Sequence, residues 1–233
     1  LGNTVVWKPS DTQMLSAHYI MKLLEAAGLP PGVINMVAAD GPLTSDILLS
    51  NPDLAGVHFT GSTQTFQSIW QKVGENISKY KTYPRLVGET GGKDFVFAHP
   101  SADPDAVITA LVRGAFEYQG QKCSAASRTY VPSNIWPSVK EKLISTVKSL
   151  KMGPTEDFSN FINAVIDERS FDKIAGYIEG VKKDSESEII VGGGYDKSKG
   201  YFIEPTIVVT KNPKSTTMCE EIFGPVLTIF VYD

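Results

Sequence analysis

Short apolar runs alternate with longer stretches of helical periodicity through the first part of the chain, the pattern expected of βαβ units. Residues 3–7, 33–37, 56–60 and 85–88 read as strands. Between them, residues 14–27 place Leu15, Tyr19, Leu23 and Ala26 at helical spacing, with Ser10 or Thr12 as N-cap and Gly28-Leu29-Pro30-Pro31-Gly32 as the stop. A short helix is expected over 44–50 and a longer one over 62–77. Beyond a boundary near residues 88–93 the pattern gives helices over 103–118, 136–150 and 167–183. Strands follow at 128–131, 188–191 and 206–209, with a flexible Gly192-Gly193-Gly194 turn. The residues between 119 and 125 form a loop of polar and small side chains around Cys123. The reading is an α/β fold in two parts, residues 1–88 and 89–233.

Composition narrows this only a little. With 42% hydrophobic and 21% charged residues, the chain has the make-up of a globular protein rather than a disordered one. A net charge of −4 leaves no basic footprint for nucleic acid or an anionic membrane. No apolar run reaches the roughly 18–20 residues of a membrane-spanning helix. Cys123 and Cys219 are too few for a disulfide framework, and His18, His58 and His99 show no ligand spacing, so no metal is expected. Both ends run through strand-like segments without a leader or cleavage pattern, so the chain reads as an internal piece of a longer protein.

Two segments carry candidate chemistry. In Gln121-Lys122-Cys123-Ser124 a thiol sits among small neighbours, which gives an electrophile access to it. Upstream, Glu89-Thr90-Gly91-Gly92-Lys93 puts a carboxylate beside two glycines, as suits a general base on an exposed, mobile turn. Taken singly, Cys123 reads first as a small packed hydrophobe and Glu89 as a solvated surface carboxylate.

Together the two segments resemble the paired active-site signatures of the aldehyde dehydrogenase superfamily. Val6-Trp7-Lys8-Pro9-Ser10 and Glu220-Glu221-Ile222-Phe223-Gly224-Pro225 resemble two more of its motifs, in the right order. The resemblance implies part of a Rossmann-like NAD-binding domain followed by most of an α/β catalytic domain. It also implies NAD as cofactor, a small aldehyde as substrate and a self-associating parent protein. Cys123 would be the nucleophile, its N–H an oxyanion donor, and Glu89 the base. Lys8, Ser10 and Asp11 would meet the adenosine ribose, Gly61 and Ser62 the pyrophosphate, and Glu221 and Phe223 the nicotinamide riboside.

Details around Tyr83-Pro84-Arg85-Leu86, Phe116-Glu117-Tyr118-Gln119-Gly120 and Gly200-Tyr201-Phe202-Ile203-Glu204-Pro205 resemble the branch that oxidises glutamate γ-semialdehyde in proline breakdown. There Ser124 would donate to the substrate's α-carboxylate, and the eukaryotic form would imply the mitochondrial matrix. The rival expectations are an enzyme for another semialdehyde or an aliphatic aldehyde, and a non-catalytic NAD-binding or structural protein of the same fold. Alone, the chain is expected to have little activity, because the family's second oxyanion donor would lie before Leu1.

Overall fold

The computed structural model describes residues 2–233, which separate into two units, one ending at Gly91 and the other spanning Gly92–Asp233. In the first unit, β1 (Val5–Trp7) is followed by α1 (Met14–Ala26) and β2 (Ile34–Met36), and the two strands pair in parallel with Val5 opposite Ile34. After α2 (Gly41–Leu48), β3 (Gly56–Gly61) leads into α3 (Thr63–Glu75) and then β4 (Arg85–Thr90). These strands are also parallel, with Thr60 opposite Glu89. Parallel neighbours need a crossover, and α1 and α3 supply it. Ile69 and Val73, one turn apart on α3, bury against Leu49, Val57, Phe59 and Leu86.

Three expectations for this unit need correction. The first helix is not capped by Ser10 or Thr12, because a 3₁₀ turn over Asp11–Gln13 intervenes and the two hydroxyls bond one another at 3.0 Å. The helix expected over 44–50 begins earlier, at Gly41, with the Asp40 carboxylate accepting from the Leu43 N–H at 2.9 Å. Glu89 lies on no turn: β4 runs on through Gly88 and Glu89 to Thr90. The apolar stripe of α1 is present, yet Leu15 and Leu23 are 73% and 69% exposed and only Ala17 is buried.

The second unit is built on a five-stranded sheet. Its elements are β5 (Phe95–Phe97), α4 (Pro104–Phe116), β6 (Arg128–Pro132), α5 (Trp136–Lys148), α6 (Glu168–Lys183) and β7 (Ser187–Val191). There follow the small hairpin of β8 (Tyr195–Asp196) and β9 (Phe202–Ile203), then β10 (Thr206–Thr210), the short α7 (Thr216–Cys219) and β11 (Val226–Tyr232). The strand order is β5-β6-β11-β10-β7, parallel throughout except for β7. Ile207, Leu227 and Ile229 face Leu111 and Phe116 of α4 and Leu143 of α5. The alternate residues Val208 and Val226 face Ile174 and Ile178 of α6. Burial on both faces is what a parallel sheet requires, and it fixes the register of the central strands β10 and β11.

Candidate active site

In the second unit the motif segments sit at the amino ends of three neighbouring strands. Gly92-Lys93-Asp94 enters β5, residues 121–127 enter β6, and Glu221-Ile222-Phe223-Gly224-Pro225 enters β11. Because β5, β6 and β11 are adjacent, segments more than a hundred positions apart in sequence meet at one edge. The first strand bonds show the convergence: the Ser127 N–H donates to Asp94 O at 3.1 Å, and the Thr228 N–H to Ser127 O at 3.2 Å. Open parallel sheets usually bind ligands at the carboxyl ends of their strands, so this placement is distinctive.

The nucleophile loop is shaped by backbone geometry. Helix α4 ends at Phe116, short of the expected 118, because Tyr118, Gln119 and Gly120 take positive φ of 55°, 58° and 64°. Tyr118 and Gln119 are not glycines, so each stores local strain. A turn closed by Ala125 N–H to Lys122 O at 3.1 Å then puts Cys123 and Ser124 at its exposed tip. Among the described residues the Cys123 N–H donates to no acceptor, leaving it open for an oxygen beside the thiol. Two side chains hold the loop. Gln121 Oε1 accepts from the Ile166 N–H at 2.9 Å, and Lys122 bonds Glu117 at 2.8 Å. The Lys122 bond and the neighbouring Arg113 guanidinium hold the Glu117 carboxyl below its ordinary value.

A small cavity beside this loop is lined by Gly120, Lys122, Ala125, Glu221, Phe223 and Gly224, among others. Glu221 is half-buried, and its Oε1 accepts from the Gly92 N–H at 3.3 Å. Phe223 is exposed with φ of 60°. So Cys123 and Ser124 share one strand edge with Glu221 and Phe223. Two residues of α6 that sequence reasoning passed over secure this loop: Lys173 Nζ donates to Glu221 O at 2.9 Å, and Tyr177 OH donates to Glu220 Oε2 at 2.7 Å. Their i, i+4 spacing on an amphipathic helix was the available signal. Burial, then the bond to Glu220, pushes the Tyr177 phenol up to about 12.

The two loops touch through glycine. A Cβ on Gly120 would strike the Gly224 carbonyl oxygen, on a residue already at positive φ. Gly120→Ala is therefore expected to displace the Cys123 loop or destabilise the unit by about 1–3 kcal/mol, read as a fall in melting temperature together with lost activity.

Lys93 is the one lysine here with a strongly displaced pKa, pushed down to about 8 by burial and then by the Arg128 guanidinium. An unfolded lysine titrates near about 10.4, so between these values the unfolded chain binds more protons and stability rises with pH. The wild type should thus gain melting temperature relative to Lys93→Met as pH increases from 8 to 10; a constant difference would contradict it.

In the first unit, Lys8 follows β1 with its stem near Gly41, and its ammonium bonds Pro9 O at 3.0 Å and Asp11 Oδ1 at 3.1 Å. Ser10 and Asp11 are exposed on the same turn. Ser62 follows Gly61 at the end of β3 and caps α3, its Oγ accepting from the Thr65 N–H at 3.1 Å. Glu89 is exposed near the carboxyl end of β4. Among the described residues no cluster of metal-binding side chains occurs, and no helix is long and apolar enough to cross a membrane.

The sequence model of the aldehyde dehydrogenase family matches residues 1–233. The mitochondrial delta-1-pyrroline-5-carboxylate dehydrogenase of Danio rerio is 50% identical over the whole chain, which spans 42% of that relative's length. The structure of the delta-pyrroline-5-carboxylate dehydrogenase of Mycobacterium tuberculosis bound with NAD is 53% identical, with a TM-score of 0.93 over 99% of this chain and 42% of the other. A 1-pyrroline-5-carboxylate dehydrogenase from Thermus with bound NAD gives 32% identity and a TM-score of 0.92, covering 99% of this chain and 44% of its own.

Proposed function

Because the chain belongs to the aldehyde dehydrogenase family, we propose that the full-length protein containing it oxidises L-glutamate γ-semialdehyde to L-glutamate with NAD. The observation that carries this reading is the solvent-open Cys123, with its free N–H, at the same strand edge as Glu221 and Phe223. Relatives named for pyrroline-5-carboxylate, the cyclic form of this semialdehyde, support the substrate.

The chain's own groups fit a dinucleotide. In the first unit the turn after β1 offers Lys8, Ser10 and Asp11 to ribose hydroxyls, and Gly61 ends β3 just before Ser62, the cap of a helix whose first N–H groups suit phosphate oxygens. In the second, Glu221 would hold the nicotinamide ribose and Phe223 would flank the ring. When bound, NAD supplies the two-electron acceptor. Cys123 Sγ adds to the aldehyde carbon, and the Cys123 N–H donates to the oxygen as it gains charge. Loss of hydride from this thiohemiacetal leaves a thioester on Cys123. Glu89 takes a proton from water, which attacks the thioester and releases the carboxylic acid and the thiol. Ser124, at the turn tip beside Cys123, would donate to the substrate's α-carboxylate.

The likeness to mitochondrial relatives supports a place in the mitochondrial matrix, and the family resemblance supports self-association. NADH formation by the full-length protein tests the reading. Strong turnover of glutamate semialdehyde over propanal supports it; turnover of propanal alone would keep the family and remove the substrate.

A further inference from the structure

We propose that Lys93 is a positioning residue that ties the three loops at the amino ends of β5, β6 and β11 together, so that Glu221 is presented beside the Cys123 loop. The proposal rests on the reading of Glu221 as the nicotinamide-ribose carboxylate. It starts from α7, a helix of only four residues that stops immediately before Glu220-Glu221. A helix that stops leaves carbonyls without partners, and cations are favoured there. Lys93 Nζ donates to Thr217 O at 2.9 Å, and Arg128 donates to Met218 O at 3.3 Å. These two side chains replace the backbone bonds that a continuing helix would have made. Glu220 is thereby released into extended backbone, with ψ of 144°, and the chain reaches the left-handed Phe223.

The same lysine reaches the other two loops. Its Nζ also donates to Ser127 Oγ, at the end of the nucleophile loop, and its carbonyl accepts from Arg128 Nε at 3.1 Å. The preceding Gly92 N–H holds Glu221 Oε1. Placing a lysine beside an arginine in a half-buried site is unfavourable for both charges, and an apolar side chain of similar length would fill the space without that penalty. The groups that compensate are those of the loops themselves: two carbonyls, a hydroxyl and, nearby, the Glu221 carboxylate. The arrangement favours loop placement over stability.

Lys93→Met and Ser127→Ala in the full-length protein provide the test. For Lys93→Met the expected results are NAD affinity and kcat lowered roughly tenfold to a hundredfold, and KM for the aldehyde within about twofold. Without nucleotide, amide hydrogen exchange should quicken across residues 217–224 and 121–127 and not over α5. Lys93→Arg should restore part of the affinity, and Ser127→Ala should shift it in the same direction by about threefold. Unchanged affinity, kcat and exchange in a folded Lys93→Met protein would overturn the proposal. If that variant does not fold, unchanged affinity and exchange in Ser127→Ala would overturn it. Faster exchange in a protein that turns over no semialdehyde would fell the functional reading and keep the tie; normal turnover with no response to either substitution would do the reverse.

Discussion

Cys123→Ala in the full-length protein is expected to abolish NADH formation, with a loss of at least about 10⁴-fold and no rapid first turnover. The expectation rests on position as well as residue type. Cys123 is solvent-open at the tip of its turn, and among the described residues its own N–H has no acceptor, which is where an aldehyde can be met by a thiol and an oxyanion donor together. The fold should tolerate the change, since an exposed turn residue contributes no core packing. Unaltered melting temperature with retained NAD binding would show that chemistry alone was lost. Cys219 is the internal control: it is also a free, exposed cysteine, and Cys219→Ala should leave a rapid first turnover intact.

Glu89→Gln should give a different signature. Thiol addition and hydride loss form the thioester, so about one NADH per site should still appear rapidly. Steady turnover should then fall by roughly 10²–10⁴-fold, the usual worth of general-base assistance. Rapid-mixing absorbance separates the two variants. Unimpaired steady turnover in Glu89→Gln would remove the residue from the mechanism.

Much of the architecture was legible in the sequence because burial is periodic. The long helices α4, α5 and α6 each bury a regular face, such as Val139, Leu143 and Val147 of α5, and β10 and β11 are buried on both sides over most of their length. What escaped was decided by contacts distant in sequence. Gly88 reads as a strand end, yet β4 continues through it, paired with β3 up to Thr90, and the glycine makes room for the Phe66 ring that a Cβ would strike. A glycine inside a strand marks close approach by a neighbour, so Gly88, next to Glu89, signals packing against α3 rather than the turn suggested in the sequence. The short strands β5, β8 and β9 carry too few residues to show a period. The left-handed Tyr118 and Gln119 have no signal in residue type, since neither is the glycine that such a conformation favours. Likewise Lys93 could be read only as part of a motif, because its partners Ser127 and Thr217 lie 34 and 124 positions away.

The central claim is covalent capture of the aldehyde by Cys123. Mass spectrometry of the Glu89→Gln full-length protein, quenched in acid after mixing with NAD and glutamate semialdehyde, tests it most directly. The account predicts an acyl group on the peptide carrying Cys123, formed in step with the first NADH and absent without NAD. An acyl group on Cys219, or rapid NADH with no adduct on either cysteine, would contradict it.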